Sequence, residues 1–176
     1  MTINTHGGGA RTNLNGLAFE QNTSLEQALI ESGYRVINNR LVYNGDELGI
    51  VTSKHGLYRH ITEPNRIRWS EILSKKMLPD DLFFNFTNRT VYIIEKKFQN
   101  GAGSVDEKLQ TCDFKLKQYQ RLLASLNVTV RYMYIFNDWF AQEQYNDVKE
   151  YIRDVGCSYY FNSIPITELG IPTQLN

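Results

Sequence analysis

Cysteine is scarce in this chain: there are two, Cys112 and Cys157, far apart. That excludes a disulfide-stapled scaffold and a Cys/His zinc ribbon, and predicts two free thiols in a reducing compartment. Histidine is nearly as sparse, and His6, His55 and His60 have no nearby Asn or Cys partners that complete a zinc or ββα-metal pattern. Long apolar runs are missing as well. None approaches the roughly 18 residues of a membrane span, and the opening MTINTHGGGARTNLNG lacks the apolar stretch of a secretory signal. These absences predict a soluble, intracellular, cytoplasmic protein with no membrane partner. Excess charge is absent too, since 19 Lys plus Arg offset 19 Asp plus Glu for a formal net charge of zero. Bulk charge therefore supplies no general affinity for nucleic acid, and any basic surface must be local. There is no internal repeat and no low-complexity tract.

What is present is core material. Of the 176 residues 41% are hydrophobic, with eleven Tyr and nine Phe, which suffices for one domain spanning residues 1–176. Residues 1–16, rich in Gly, Asn and Thr, read as a flexible arm. Charge gathers in residues 54–76, where Lys54, Arg59, Arg66, Arg68, Lys75 and Lys76 face only Glu63 and Glu71.

Periodicity orders the elements. LAFEQNTSLEQALIESGY predicts a helix from Leu17, broken near Asn-Thr-Ser, with Ser24 capping its second half and Gly33 ending it. YRVINN and LVYNGDELGIVTS predict strands with an Asn-Gly turn. RWSEILSKKM predicts a short helix. DLFFNF and TVYIIEKKF predict two strands of a hairpin around TNR. SVDEKLQTCDFKLKQYQRLLASL predicts one long helix, capped by Ser104 with Glu107 three residues on. Its apolar face comprises Val105, Leu109, Phe114, Leu116, Tyr119, Leu122, Leu123 and Leu126. VTVRYMYIF, QYNDVKEYIRDVG and CSYYF follow as strand, helix and strand. From residue 81 the order is β-β-α-β-α-β, so the fold class is α/β (α+β), with a central mixed β-sheet flanked by helices.

Within that frame YIIEKKF is unusual, because a buried strand ends in three charged residues. Alternation sends Glu95 and Lys97 to one face and Ile94 and Lys96 to the other. If the two strands pair as a hairpin, the LPDD that opens the first lies beside Glu95 and Lys97. Either Asp80 or Asp81 then stands near Glu95, where hard oxygen ligands can share Mg²⁺. Without that partner, Glu95 and Lys97 are an ordinary strand-end ion pair.

Pro79-Asp80, fourteen intervening residues and Glu95-Lys96-Lys97 resemble the signature of the PD-(D/E)xK nuclease superfamily. The resemblance covers mainly residues 79–125, the catalytic hairpin and helix, and is nearest to type II restriction endonucleases. It implies a restriction-endonuclease-like fold, with Asp80 and Glu95 holding Mg²⁺ and Lys97 assisting the attacking water. It also implies an acidic residue on an N-terminal helix, for which Glu20 is the match. The activity implied is hydrolysis of double-stranded DNA at a short specific site, by a homodimer whose contact lies on the N-terminal helix or near Trp139. A structure-specific resolvase or nickase on the same fold, or a catalytically silent DNA-binding protein, are the alternatives.

Candidate DNA contacts follow from charge and position. Lys54, His55, Arg59, Arg66 and Arg68 occupy the loop-like basic segment. Gln99 shares the face of Lys97 if the strand persists. Ser104 begins the helix beyond the glycines of QNGAGS, where backbone amides can approach a phosphate. Lys108, Lys115, Lys117 and Arg121 on that helix are either backbone contacts or a solvated face.

Overall fold

A computed structural model describes residues 16–101, 103 and 105–173, a mixed α/β structure with a seven-stranded sheet at its centre. Residues 1–15, hence most of the expected arm, and Ser104 lie outside the described residues. Strand β1 (Gly16–Ala18) pairs antiparallel with the C-terminal segment Ser163–Pro165, and helix α1 spans Leu25–Glu31. The expected helix from Leu17 is thus corrected. The Glu20 N–H donates to Thr23 Oγ1 at 3.1 Å, and the Thr23 N–H donates to the Glu20 carbonyl at 3.1 Å. This local turn diverts backbone groups that a helix would need. Ser24 caps α1 as expected, its Oγ accepting from the Gln27 N–H at 3.1 Å.

Strands β2 (Arg35–Ile37), β3 (Arg40–Tyr43) and β4 (Asp46–Thr52) form an antiparallel meander. Its turns are Asn38-Asn39 (φ 49° and 64°) and Asn44-Gly45 (φ 51° and 91°), the left-handed pairs that two-residue hairpins require. The helix expected in RWSEILSKKM is absent beyond a single turn, Trp69–Glu71. Tyr58 explains why: its hydroxyl accepts from the Met77 N–H at 2.8 Å and lies 3.0 Å from the Met77 carbonyl. A tertiary partner thereby replaces helical hydrogen bonds and holds residues 72–79 against the core.

Strands β5 (Asp81–Asn85) and β6 (Thr90–Lys97) form the expected hairpin. Asn85 sets its turn, with Oδ1 accepting from the N–H groups of Thr87 (2.8 Å) and Asn88 (3.3 Å). The long helix that follows is interrupted. Helix α2 (Val105–Lys108) and helix α3 (Cys112–Leu123) flank a tighter turn, Leu109–Thr111. There the Thr111 hydroxyl donates to the Lys108 carbonyl (2.7 Å) and the Tyr134 hydroxyl donates to the Leu109 carbonyl (3.2 Å). Strand β7 (Thr129–Phe136), helix α4 (Asn146–Asp154), strand β8 (Ser158–Phe161) and strand β9 (Ser163–Pro165) complete the chain.

The sheet order is β2-β3-β4-β5-β6-β7-β8, antiparallel as far as β6 and parallel from β6 to β8. Alternation sorts side chains into two cores. Leu82, Ile93, Tyr132, Tyr134 and Phe136 pack beneath α3 and α4, whereas Phe83, Tyr92, Ile94, Met133 and Ile135 pack with α1 and β1. Phe114 departs from its expected core role and is 62% exposed. Trp139 packs on the core, partly buried, with its Nε1–H donating to Tyr145 Oη at 2.8 Å.

Candidate active site at the mouth of the hairpin

The β5–β6 register pairs Asp81 with Ile94. Asp80 precedes the first paired residue of β5, and alternation along the strand gives Asp81 the face opposite to Leu82 and Glu95. Asp81 therefore belongs to the other face, and its contacts agree. Its Oδ1 accepts from the Leu25 N–H at 3.0 Å, at the start of α1, and Oδ2 lies 3.2 Å from Lys96 Nζ. Lys96 also donates to the Thr23 carbonyl at 2.6 Å. Asp81 and Lys96 thus form a buried clamp that ties α1 to the hairpin. Burial pushes the Asp81 carboxyl above its ordinary range, and the Leu25 N–H and Lys96 ammonium only partly offset it.

On the opposite face Glu95 is buried, with Lys97 Nζ at 3.4 Å and Lys115 Nζ at 3.6 Å from its Oε2. A carboxylate so removed from water needs opposite charge close by, and here it has two ammonium groups for one carboxylate. The local balance is positive. Parallel pairing of Glu95 with Tyr134 and of Lys97 with Phe136 lays an aromatic floor under them, and Lys97 sits 5.9 Å from the centre of the Tyr134 ring. Burial, with the charge of Glu95 added, pushes the Tyr119 and Tyr132 hydroxyls far up, so both stay protonated. A cavity of about 600 Å³ opens above, between α3 and residues 73–78.

Asp80 is turned along the sheet edge. Its Oδ2 accepts from the Lys96 N–H at 3.0 Å and its Oδ1 is paired with Lys54 Nζ. Burial opposes its ionisation, but Lys54, the Lys96 N–H and the charge of Lys97 together hold its carboxyl below the ordinary range. It lines a neighbouring hollow with Gln21, Asn22 and Phe98, so Asp80 and Glu95 line separate hollows at the hairpin mouth.

The other predicted residues disperse. Glu20 is exposed in the turn after β1, on no helix, correcting its expected setting. Gln99 follows the end of β6, so the expected shared face with Lys97 does not persist. Its N–H donates to Asn137 Oδ1 (3.1 Å), its carbonyl accepts from Asn137 Nδ2 (2.7 Å), and its side chain bends back to the Gly101 carbonyl. Of the basic segment Lys54 pairs with Asp80, while Lys75 and Lys76 line the cavity over Glu95. His55 and Arg66 are exposed, Arg59 lines a separate polar hollow with His60, and Arg68 pairs with Glu71 at 3.0 Å. Lys115 is the residue whose role the sequence obscured. It lies one helical turn before Tyr119, on the face of α3 that overhangs Glu95.

No family model, no curated protein and no solved structure matches this chain. The chemistry of the donors is what remains to judge a metal by. Among the described residues no group of three or more His, Cys, Asp and Glu is close enough to hold one. Asp80 and Glu95 are each hard oxygen donors of the kind Mg²⁺ accepts, one or two carboxylates with water and phosphate oxygens completing its shell, and they line separate hollows in this structure. Their present partners are N–H and ammonium donors, so spare lone pairs remain on both carboxylates.

Proposed function

We propose that this protein is a Mg²⁺-dependent endonuclease that hydrolyses phosphodiester bonds of double-stranded DNA, on a restriction-endonuclease-like scaffold and with the site-specific action of type II restriction enzymes. The observation that carries the reading is the charge cluster at the hairpin mouth: Lys97 Nζ 3.4 Å from the buried Glu95 carboxylate, with Asp80 held at the start of the neighbouring strand by the Lys96 N–H at 3.0 Å. The site lies at the carboxyl end of β6, beside the parallel part of the sheet, where α/β proteins commonly bind ligands.

Asp80 and Glu95 would hold Mg²⁺, which when bound supplies a Lewis acid for the phosphoryl group and lowers the pKa of a water. Lys97 orients the attacking water and, with Lys115, neutralises charge on the scissile phosphate. Glu95 keeps both ammonium groups in place before substrate arrives. Lys54 pairs with Asp80 in the resting protein and would be free to neutralise the DNA backbone if Asp80 held the metal. A homodimer, matching a two-fold site, is the assembly this reading carries.

The test is incubation with plasmid and phage DNA in Mg²⁺ and in EDTA. Discrete fragments that form only with Mg²⁺ are the expected result. Intact DNA across several duplexes, together with intact branched and nicked substrates, would overturn the reading.

A further inference from the structure

The cavity over Glu95 has two kinds of wall. Leu73, Met77 and Leu78 supply an apolar side, and Phe114 projects its ring from α3 while 62% exposed. The rim is cationic: Lys75, Lys76, Lys97, Lys108 and Lys115 line it, and Glu95 is the one acidic residue among the lining groups. An exposed aromatic in a basic hollow needs a ligand with a flat apolar face and anionic charge. At about 600 Å³ the space lies within the roughly 300–1,000 Å³ of small-ligand pockets. It can take a base with its phosphate but not a stacked duplex.

We infer that this cavity receives a single unstacked nucleotide, its base against Phe114 and its phosphates on the lysine rim. The inference rests on the nuclease reading for the identity of the floor, and adds how the duplex is engaged: one nucleotide leaves the stack at the cut, so DNA already single-stranded, frayed or mismatched there enters most readily. In an intact duplex the nucleotide must first leave the stack, so a mismatch or an end lowers the cost of entry. Phe114 is 62% exposed and lies outside the buried core, so its truncation probes the cavity with little loss of buried apolar surface.

The experiment measures fluorescence anisotropy of labelled oligonucleotides in EDTA, where no cutting occurs. Single strand, matched duplex and a duplex with one central mismatch are titrated with wild-type protein, Phe114→Ala and Phe114→Trp. Single strand and mismatched duplex should bind more tightly than matched duplex. Phe114→Ala should weaken single-strand binding roughly 5- to 150-fold, the range for removing a base-stacking aromatic, and Phe114→Trp should retain it. Equal binding by Phe114→Ala and wild type, a preference for matched duplex, or tighter binding of dodecyl phosphate than of the oligonucleotide would each overturn the inference. Failure of the nuclease reading looks different: Phe114-dependent binding would persist, with no Mg²⁺-dependent cleavage of any substrate.

Discussion

Two adjacent aspartates carry opposite assignments. Asp81 is 3% exposed and clamps Lys96, itself 15% exposed, so Asp81→Ala leaves a largely enclosed ammonium with only the Thr23 carbonyl and removes the acceptor for the Leu25 N–H. Urea unfolding should register a loss of roughly 3–5 kcal/mol, as for a broken buried pair. Asp80→Ala frees only the half-exposed Lys54 and the Lys96 N–H, and should cost no more than about 1–2 kcal/mol. Their pH signatures oppose as well. The lowered carboxyl of Asp80 contributes stability that is present above the unfolded pKa and lost as pH falls through the folded value, so the advantage of wild type over Asp80→Asn should shrink below about pH 4. The carboxyl of Asp81 is raised, so its native state holds the proton longer and wild-type stability falls as pH rises past the unfolded pKa. Asp81→Asn should therefore gain on wild type between about pH 4 and neutrality. Paired urea titrations across that range check both signs. The sequence alone left the choice between Asp80 and Asp81 open, because a one-residue change of register exchanges their faces. The observed register, Asp81 with Ile94, gives Asp81 to the α1 face.

At the scale of elements, what was legible was what local chemistry dictates. The Asn-Gly turn, the Ser24 cap, the β5–β6 hairpin and the strand and helix alternation after it follow from turn residues and periodicity, and the structure bears them out. Where expectation failed, a long-range partner had intervened. Tyr58 took the Met77 backbone that a helix would have used, β9 recruited Gly16–Ala18 into a strand, and Tyr134 broke the long helix at Leu109. None of these partners lies within a helical window of the segment it diverts. Asn85 shows how such ties support the site: besides setting the hairpin turn, its Nδ2 donates to the carbonyls of Leu169 (2.9 Å) and Gly170 (3.1 Å). Asn85→Ala removes these bonds from a buried position. It should lower stability by roughly 2–4 kcal/mol, seen as a fall in Tm, through acceptors and donors left unpaired.

Across the whole molecule the sheet separates work by face. Its α1 face closes a core around Phe83 and Ile94, with Asp81 and Lys96 as the polar clamp at its rim. Its α3 face closes a second core and opens, at the end of β6, onto the carboxylate and lysines. This division explains why a neutral chain can carry a locally basic hollow, and why Lys115 stayed hidden: its role depends on α3 crossing above β6, which no local pattern records. No helix among the described residues is long and apolar enough to cross a membrane. The central claim is that Asp80, Glu95 and Lys97 act together on a phosphodiester. The most direct test compares Mg²⁺-dependent DNA cleavage by wild type, Asp80→Ala and Lys97→Ala, with DNA binding measured in EDTA beside it. The account predicts at least about a 100-fold loss of cleavage in both variants, with binding kept within a few-fold. Cleavage at the wild-type rate by either variant would contradict it.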